Sequence, residues 1–328
     1  MQRALVLGSN CFTGSHLVAA LLQAGYEVHG LSRSREYAPL YLPYADLPEK
    51  DNFFFHQNDL HNPASLFTLL DKWQPPLIFT VAAFSEVALS HQIPLEYFAT
   101  NTQSMARLAH WLKDKSWLKR HIHISSAEIF GSCQGAQSAD SHEFRPSTPY
   151  AVSKLAADLY LETLRQNFNY PVSLIRSTNV FGKHQQLFKI IPRTLIYARM
   201  GKKIELHGGG TAKKSFIHVK DVIAGLLKTL NYPEHRTWHF TQNGPETVAD
   251  IVRMSLESAG LRWEDHVETV GERLGQDAHY WLDDSDSRSL LNWQPEISLQ
   301  AGIDETRDWI EKHWETIQNE PLSYVHKH

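Results

Sequence analysis

Short apolar runs alternate with longer amphipathic stretches through the first half of the chain. Residues 4–7, 27–31, 53–56, 77–81, 121–125 and 172–176 have strand length and read as buried strands. Between several of them, residues 15–24, 63–73, 95–112 and 150–168 carry apolar positions at helical spacing. Parallel neighbours need crossover connections, and the crossing helices cover both faces of the sheet. The pattern therefore predicts an α/β fold built on a doubly wound parallel sheet.

After Phe181 the alternation weakens, with glycines at 208, 209 and 210 and several proline-punctuated segments. Residues 1–181 form one predicted domain, and residues 182–328 mainly a smaller α/β lobe. Within about 219–245, a helix at 219–230 and a strand at 238–241 return to the large sheet. Residues 325–328 read as a frayed tail.

Composition narrows the class. The 328 residues are 42% hydrophobic and 21% charged, which excludes a disordered or fibrous chain. Lys and Arg number 32 against 36 Asp and Glu, a net charge of -4, so no global basic field recruits nucleic acid or an anionic membrane. No apolar run approaches the ~20 residues that span a bilayer, and the N-terminal run reaches Gly8 too soon for a signal peptide. The two cysteines, Cys11 and Cys133, are too few for a disulfide framework. A cytoplasmic protein is expected.

The first predicted strand runs into GSNCFTG at residues 8–14 and then a helix. Glycines there let the backbone approach a pyrophosphate, while the helix N-terminus offers free N–H groups and a positive dipole end. This turn, through Gly8, Asn10, Cys11, Phe12, Thr13 and Gly14, is the candidate dinucleotide cradle. Cys11 stands at its middle position, so its side chain must point away from the pyrophosphate or shift it. A helix N-terminus can also activate a thiol, but a small residue fitting beside the cofactor is the simpler reading.

A ribose 2′-hydroxyl is usually met by a carboxylate after the second strand. Here Ser32, Arg33, Ser34 and Arg35 follow, hydroxyls and guanidiniums that lean towards the 2′-phosphate of NADP, or else are solvated loop residues. Asp59, followed by Leu60 after the third strand, is placed to reach the adenine amino group.

Tyr150 and Lys154 lie at i and i+4 on one helix face. An ammonium there is expected to lower the tyrosine pKa from its usual ~10, so that a phenolate can take the proton of a sugar hydroxyl. The strand at 121–125 ends in Ser126, Ala127 and Glu128, a hydroxyl and a carboxylate at the carboxyl edge of the sheet, where such folds bind ligands. His121 and His123 share one face of that strand, but no nearby ligand set completes a metal site, and no metal is expected.

These residues resemble the extended short-chain dehydrogenase/reductases, and among them the nucleotide-sugar 4,6-dehydratases of the dTDP-glucose type. The resemblance covers nearly the whole chain: GSNCFTG at 8–14, AAFSEV at 82–87, SSAEIFG at 125–131, STPYAVSK at 147–154 and RSTNVFG at 176–182. It continues through KIIP at 189–192, KSFIHVKD at 214–221, ERLGQD at 272–277 and WLD at 281–283. It implies a Rossmann-like sheet and a tightly bound nicotinamide cofactor, NAD or NADP. That cofactor takes hydride from C4 of an NDP-hexose and returns it to C6 after water is lost across C5 and C6.

By the same resemblance Tyr150 is the oxidation base, Lys154 its partner and ribose ligand, Ser126 a donor to the C4 oxygen, and Glu128 the base at C5. Ala82, Ala83, Ser85, Asn101 and Ser125 complete the implied cofactor contacts. Ser85, Asn179, Lys189, Ile191, Pro192, Lys214 and Arg273 are the implied nucleotide-sugar contacts. Two departures stand out: Ala127 replaces the aspartate that helps water depart in the dTDP-glucose enzymes, and Lys214 replaces a phosphate-binding arginine. GDP-mannose dehydratases also lack that aspartate, and their second strand is similar to residues 26–30 with arginine following, which supports the lean to NADP. Epimerases typically lack the glutamate, whereas UDP-glucuronate decarboxylases carry it. C4 epimerisation, decarboxylation, 5,6-dehydration and a non-catalytic NADP-binding scaffold remain the alternatives. The helices at 95–112 and 150–168 match those of a four-helix dimer interface, so a homodimer is expected.

Overall fold

The computed structural model describes residues 2–242, 244–271 and 281–324. Its large sheet contains β1 (Arg3–Leu7), β2 (Glu27–Ser32), β3 (Phe53–Gln57), β4 (Leu77–Thr80), β5 (Arg120–Ile124), β6 (Val172–Ser177) and β7 (Thr237–Phe240). The order is β7-β6-β5-β4-β1-β2-β3 and every pairing is parallel. Strand order reverses between β1 and β4, so a crevice opens at their carboxyl ends.

Alternation within β1 shows how the sheet is held. Ala4 and Val6 enter the apolar cluster on one face with Leu17 and Val18, and Leu5 and Leu7 enter the other with Leu66 and Leu70. Each such fully buried large side chain contributes roughly 1.5–3 kcal/mol relative to exposure.

Local chemistry sets the helix ends. In α1 (Phe12–Gln23) the Cys11 Sγ accepts the Gly14 N–H at 3.3 Å, so the helix begins ahead of the predicted residue 15 and includes Thr13 and Gly14 in its first turn. Asn62 caps α2 (Pro63–Trp73), which ends on Gln74 in the left-handed region.

The predicted helix at 95–112 is broken into a short helix Pro94–Tyr97, a wider π-helical stretch Phe98–Ser104, and α3 (Met105–Leu112). Asn101 and Thr102 explain the widening. The Asn101 amide accepts from Phe84 N and donates to Phe84 O, and Thr102 donates to Ser153 O. In α4 (Pro149–Phe168) Thr148 Oγ1 accepts the Ala151 N–H at 3.1 Å and Pro149 opens the first turn.

The smaller lobe is built around α5 (Ile190–Arg199), α7 (Val248–Ser258) and α8 (Leu299–Lys312). Leu195, Ile251, Ile303 and Ile310 form its core. Helix α6 (Val219–Thr229) instead packs Val222, Ile223 and Leu226 into the same cluster as α1, and β7 pairs with β6. The strand Asn179–Phe181 pairs with Phe216–His218, and Lys213–Lys214 with Glu246–Thr247. The tail at 325–328 lies outside the described residues. Among the described residues no helix is long and apolar enough to cross a membrane.

Candidate active site

Gly8 turns away from β1 at φ 94°, and a Cβ there would lie 2.5 Å from the Ala82 nitrogen. A Cβ on Gly14 would lie 2.1 Å from the Gly8 oxygen. Only glycine allows this approach of the two chain segments. The result is a cleft of about 330 Å3 at the reversal of strand order, with Gly8, Asn10, Cys11 and Phe12 on its floor. The nicotinamide dinucleotide expected from the sequence fits such a cradle of bare backbone.

The Cys11 sulfur points back at Gly14, and burial pushes its thiol up to about 11, so it is no activated nucleophile. Thr13 and Gly14 lie in the first turn of α1 behind the floor. The Asn10 N–H donates to Ser32 Oγ at 3.1 Å, and its side-chain amide donates to Ser34 Oγ at 3.2 Å and Arg35 O at 2.7 Å. These bonds tie the glycine turn to the end of β2. Ser32, Arg33 and Ser34 line the cleft, with the Arg33 guanidinium 5.1 Å from the Phe84 ring centroid. Asp59, Leu60, Ala82, Ala83 and Ser85 complete that wall, Asp59 also accepting from His61 N at 2.9 Å.

Two expected cofactor residues face elsewhere. Asn101 is buried and spends its amide on the Phe84 backbone and on Ser153 Oγ, so it braces the loop after β4. Ser125 donates to the buried Asp158 at 2.6 Å, and Asp158 in turn pairs with Arg176 at 3.1 Å, locking α4 to β5 and β6.

Ser126, two residues past the end of β5, caps the turn Ala127–Phe130, accepting the Glu128 N–H at 3.1 Å. Thr148 and Pro149 start α4 so that Tyr150 falls in its first turn and Lys154 one turn later. Tyr150 packs with Phe84 and Tyr97 and hydrogen-bonds to Ser126. Glu128 is half-buried and acts on Tyr150 through its charge. Ser126, Glu128 and Tyr150 thus meet past the carboxyl end of β5, while Lys154, one turn along α4, is tied by its ammonium to β5.

The electrostatics differ from the expectation. Burial first, and the Glu128 charge second, push the Tyr150 phenol well above its ordinary value, while the Ser126 hydrogen bond pulls it down. Burial also lowers Lys154 to about 8, with the Asp158 charge opposing the fall. The net direction on Tyr150 is upward, opposite to the lowering expected from Lys154. Lys154 Nζ donates to Ile124 O at 2.7 Å and meets His123 Nε2 at 3.2 Å. Ala127 is buried with Ile129, Phe130 and Leu282, so its side chain brings no polar group.

At the nucleotide-sugar end, Lys189 lines the cleft and pairs with Glu86 at 3.0 Å. Glu86 was not singled out by sequence; it sits inside AAFSEV with no chemical signature of its own. Asn179 donates its backbone and side-chain N–H groups to Ser215 O at 3.0 and 3.1 Å. Ile191 packs in the core of the smaller lobe and Pro192 is buried beside it, because both fall in the first turn of α5. Lys214 stands opposite Glu246 in the antiparallel pair. Arg273 lies outside the described residues.

Glu320, Pro321, Ser323 and Tyr324 also line the cleft, with Tyr41 donating to Glu320 at 3.1 Å. No motif in the sequence marks that contribution. His121 and His123 both meet the Thr80 hydroxyl, at 2.9 and 2.8 Å. Among the described residues no group of three His, Cys, Asp or Glu could hold a metal ion.

Parallel sheet, glycine cradle and the Ser126, Tyr150, Lys154 cluster define an extended short-chain dehydrogenase/reductase. A model of the GDP-mannose 4,6 dehydratase family matches residues 5–306, and the chain belongs to that family. It is 25% identical to dTDP-D-glucose 4,6-dehydratase of Mus musculus, over 97% of this chain and 91% of that one. It is 27% identical to dTDP-glucose 4,6-dehydratase of Streptomyces antibioticus, over 97% and 96%. The solved dTDP-glucose 4,6-dehydratase of Streptomyces venezuelae, with NAD bound, superposes with a TM-score of 0.87 at 26% identity, covering 98% of this chain and all of that one.

Proposed function

We propose that the protein is an NDP-hexose 4,6-dehydratase, and the observation that carries this is Glu128 set beside Tyr150 and Ser126 at the carboxyl edge of the sheet. When bound, a nicotinamide cofactor supplies the hydride acceptor for C4 and the donor for C6. Tyr150 takes the C4 hydroxyl proton, with Ser126 donating to the phenol oxygen and favouring its anionic form. Once C4 is a ketone, the C5 proton is acidified and Glu128 removes it. With Ala127 contributing no polar side chain, the Glu128 carboxylic acid passes that proton to the departing C6 hydroxyl, which leaves as water. C5 regains a proton from solvent.

Lys189, on the wall of the cleft, is the cation for the diphosphate, and Asn179, Lys214 and Arg273 are assigned to the same end. Lys214 offers a point charge without the planar fork of arginine. NADP is the assigned cofactor, because Arg33 flanks the cleft and no carboxylate ends β2, although the Streptomyces venezuelae neighbour holds NAD.

A homodimer through the helices at 94–112 and 149–168 completes the reading. Leu95 is 80% exposed, and Val152, Leu159 and Phe168 are exposed on the second helix. Such apolar side chains suit a helical interface between two copies. Leu159→Glu should shift the sedimenting species towards monomer. The free thiols of Cys11 and Cys133 suit a reducing cytoplasm.

Incubation with candidate NDP-hexoses tests the reaction. A 4-keto-6-deoxy sugar without net cofactor consumption is expected, and Glu128→Gln should slow its formation by roughly 10²–10⁴-fold while C4 oxidation persists. Inversion at C4 or release of carbon dioxide in place of dehydration would assign the chain to an epimerase or a decarboxylase.

A further inference from the structure

Behind the catalytic pair, an unbroken line of hydrogen-bonding side chains runs through the core. Lys154 Nζ meets His123 Nε2 at 3.2 Å, and His123 Nδ1 meets Thr80 Oγ1 at 2.8 Å. The same hydroxyl meets His121 Nε2 at 2.9 Å, and His121 Nδ1 meets Tyr170 Oη at 2.8 Å. All five side chains are at most 2% exposed. The line crosses α4, β5 and β4 and ends at Tyr170 in the connection just before β6, so three elements and that connection converge on one lysine.

An ammonium only donates, so His123 Nε2 must accept from Lys154. Both imidazoles are held neutral, since burial pushes His121 down to about 3 and His123 well below its usual range. A neutral imidazole has one donor and one acceptor. His123 therefore carries its proton on Nδ1 and donates to Thr80, whose own proton goes to His121 Nε2. His121 is left with Nδ1–H, which donates to Tyr170. The charge on Lys154 thus fixes both tautomers and the Thr80 rotor. By linkage, the chain acts back on that charge.

Resting on the role proposed for Tyr150 as the base at C4, we infer that His123 is a positioning residue, aimed by Thr80, His121 and Tyr170, that holds the ammonium of Lys154, one turn along α4 from Tyr150, charged and oriented. The other groups around the pair are Ile124 O from β5, Asp158 from α4 at 3.9 Å from His123 Nε2, and Arg176 from β6, which pairs with Asp158. Asp158 favours the charged lysine; Arg176 bears on His123. Neither carboxylate nor guanidinium is altered by a change at Thr80.

Thr80→Val keeps the volume and removes the hydroxyl. His123 then either buries an unpaired Nδ1–H or moves that proton to Nε2, where it opposes the ammonium. Both outcomes lower the proton affinity of Lys154. Thr80→Ser restores the hydroxyl.

The test is a titration of Lys154 by NMR of the isotopically labelled full-length protein, its signal assigned with Lys154→Arg. Thr80→Val should lower the midpoint by about one pH unit, a tenfold loss of proton affinity, with Thr80→Ser returning it to the parent value. An unchanged or raised midpoint in Thr80→Val overturns the inference, as does an equal fall in Thr80→Ser. Tyr170→Phe, which removes the far acceptor, gives an independent reading should Thr80→Val not fold: a smaller fall supports the chain, and no fall overturns it. The titration needs no substrate, so its result is separate from whether the protein turns over an NDP-hexose.

Discussion

Lys189 holds Glu86 at 3.0 Å, joining the cap of α5 in the smaller lobe to the loop after β4 in the larger one. Both side chains border the cleft and both are partly open to solvent. An exposed pair of this kind contributes only about 0–1 kcal/mol to stability. Its position is better explained by binding than by folding. Lys189→Ala should leave the melting temperature nearly unchanged and raise KM for the nucleotide sugar roughly tenfold, the loss of one charge-assisted contact to phosphate. A large fall in melting temperature with KM unchanged would make the lysine structural.

Gly8→Ala probes the cradle itself. The added methyl would meet the Ala82 backbone at 2.5 Å in a left-handed conformation. Strain of about 1–3 kcal/mol is expected in the melting profile, together with loss of the bound nicotinamide cofactor. Cofactor retained in full by the variant, measured as absorbance or mass of the purified protein, would remove the turn from the binding site.

Most of the large sheet was legible because its strands bury apolar residues on both faces, so their runs stand out without any partner being known. Helix starts were less so: nothing in a cysteine announces an N-cap, and α1 begins where Cys11 caps it. Asn101 illustrates the limit for the site. The family resemblance implied a cofactor contact, but its amide is consumed by the Phe84 backbone and Ser153, and no pattern in sequence reports where an amide points. The Tyr150 and Lys154 pair shows the same limit for chemistry: spacing gave the shared face, while the burial by Phe84 and Tyr97 and the Glu128 charge, which raise the phenol instead of lowering it, come from other segments. The chain of His123, Thr80 and His121 was visible only as two histidines on one strand.

Glu305 on α8 accepts from His218 at 2.9 Å and from Lys220 at 2.6 Å. The His218 hydrogen bond, then that of Lys220, hold its carboxyl well below the ordinary range. The unfolded chain therefore binds the proton more readily, and stability rises with pH through this interval. The contribution is fully present above the ordinary carboxylate pKa of ~4.3 and is lost as pH falls towards the folded value. Glu305→Gln should cost about 1–3 kcal/mol near neutral pH in denaturant melts, and the difference should shrink in acid. A penalty independent of pH would contradict the assignment.

Arg33 borders the cleft against Phe84, and the proposed preference for NADP rests on it. Arg33→Ala should weaken NADP about tenfold or more while changing NAD little, as read by calorimetric titration of the cofactor-free protein. Tighter binding of NAD than of NADP by the parent protein would reverse the choice of cofactor.

The central claim is that Tyr150 and Glu128 act on one sugar in sequence, with the hydride removed at C4 returning to C6. An NDP-hexose bearing deuterium at C4 tests this most directly, followed by mass spectrometry and NMR of the product. The expected product is a 4-keto-6-deoxy sugar carrying the deuterium in its C6 methyl group, with no net consumption of cofactor and no product from Tyr150→Phe. Products that keep the C6 hydroxyl, with the label still at C4 or lost from the sugar, would contradict it.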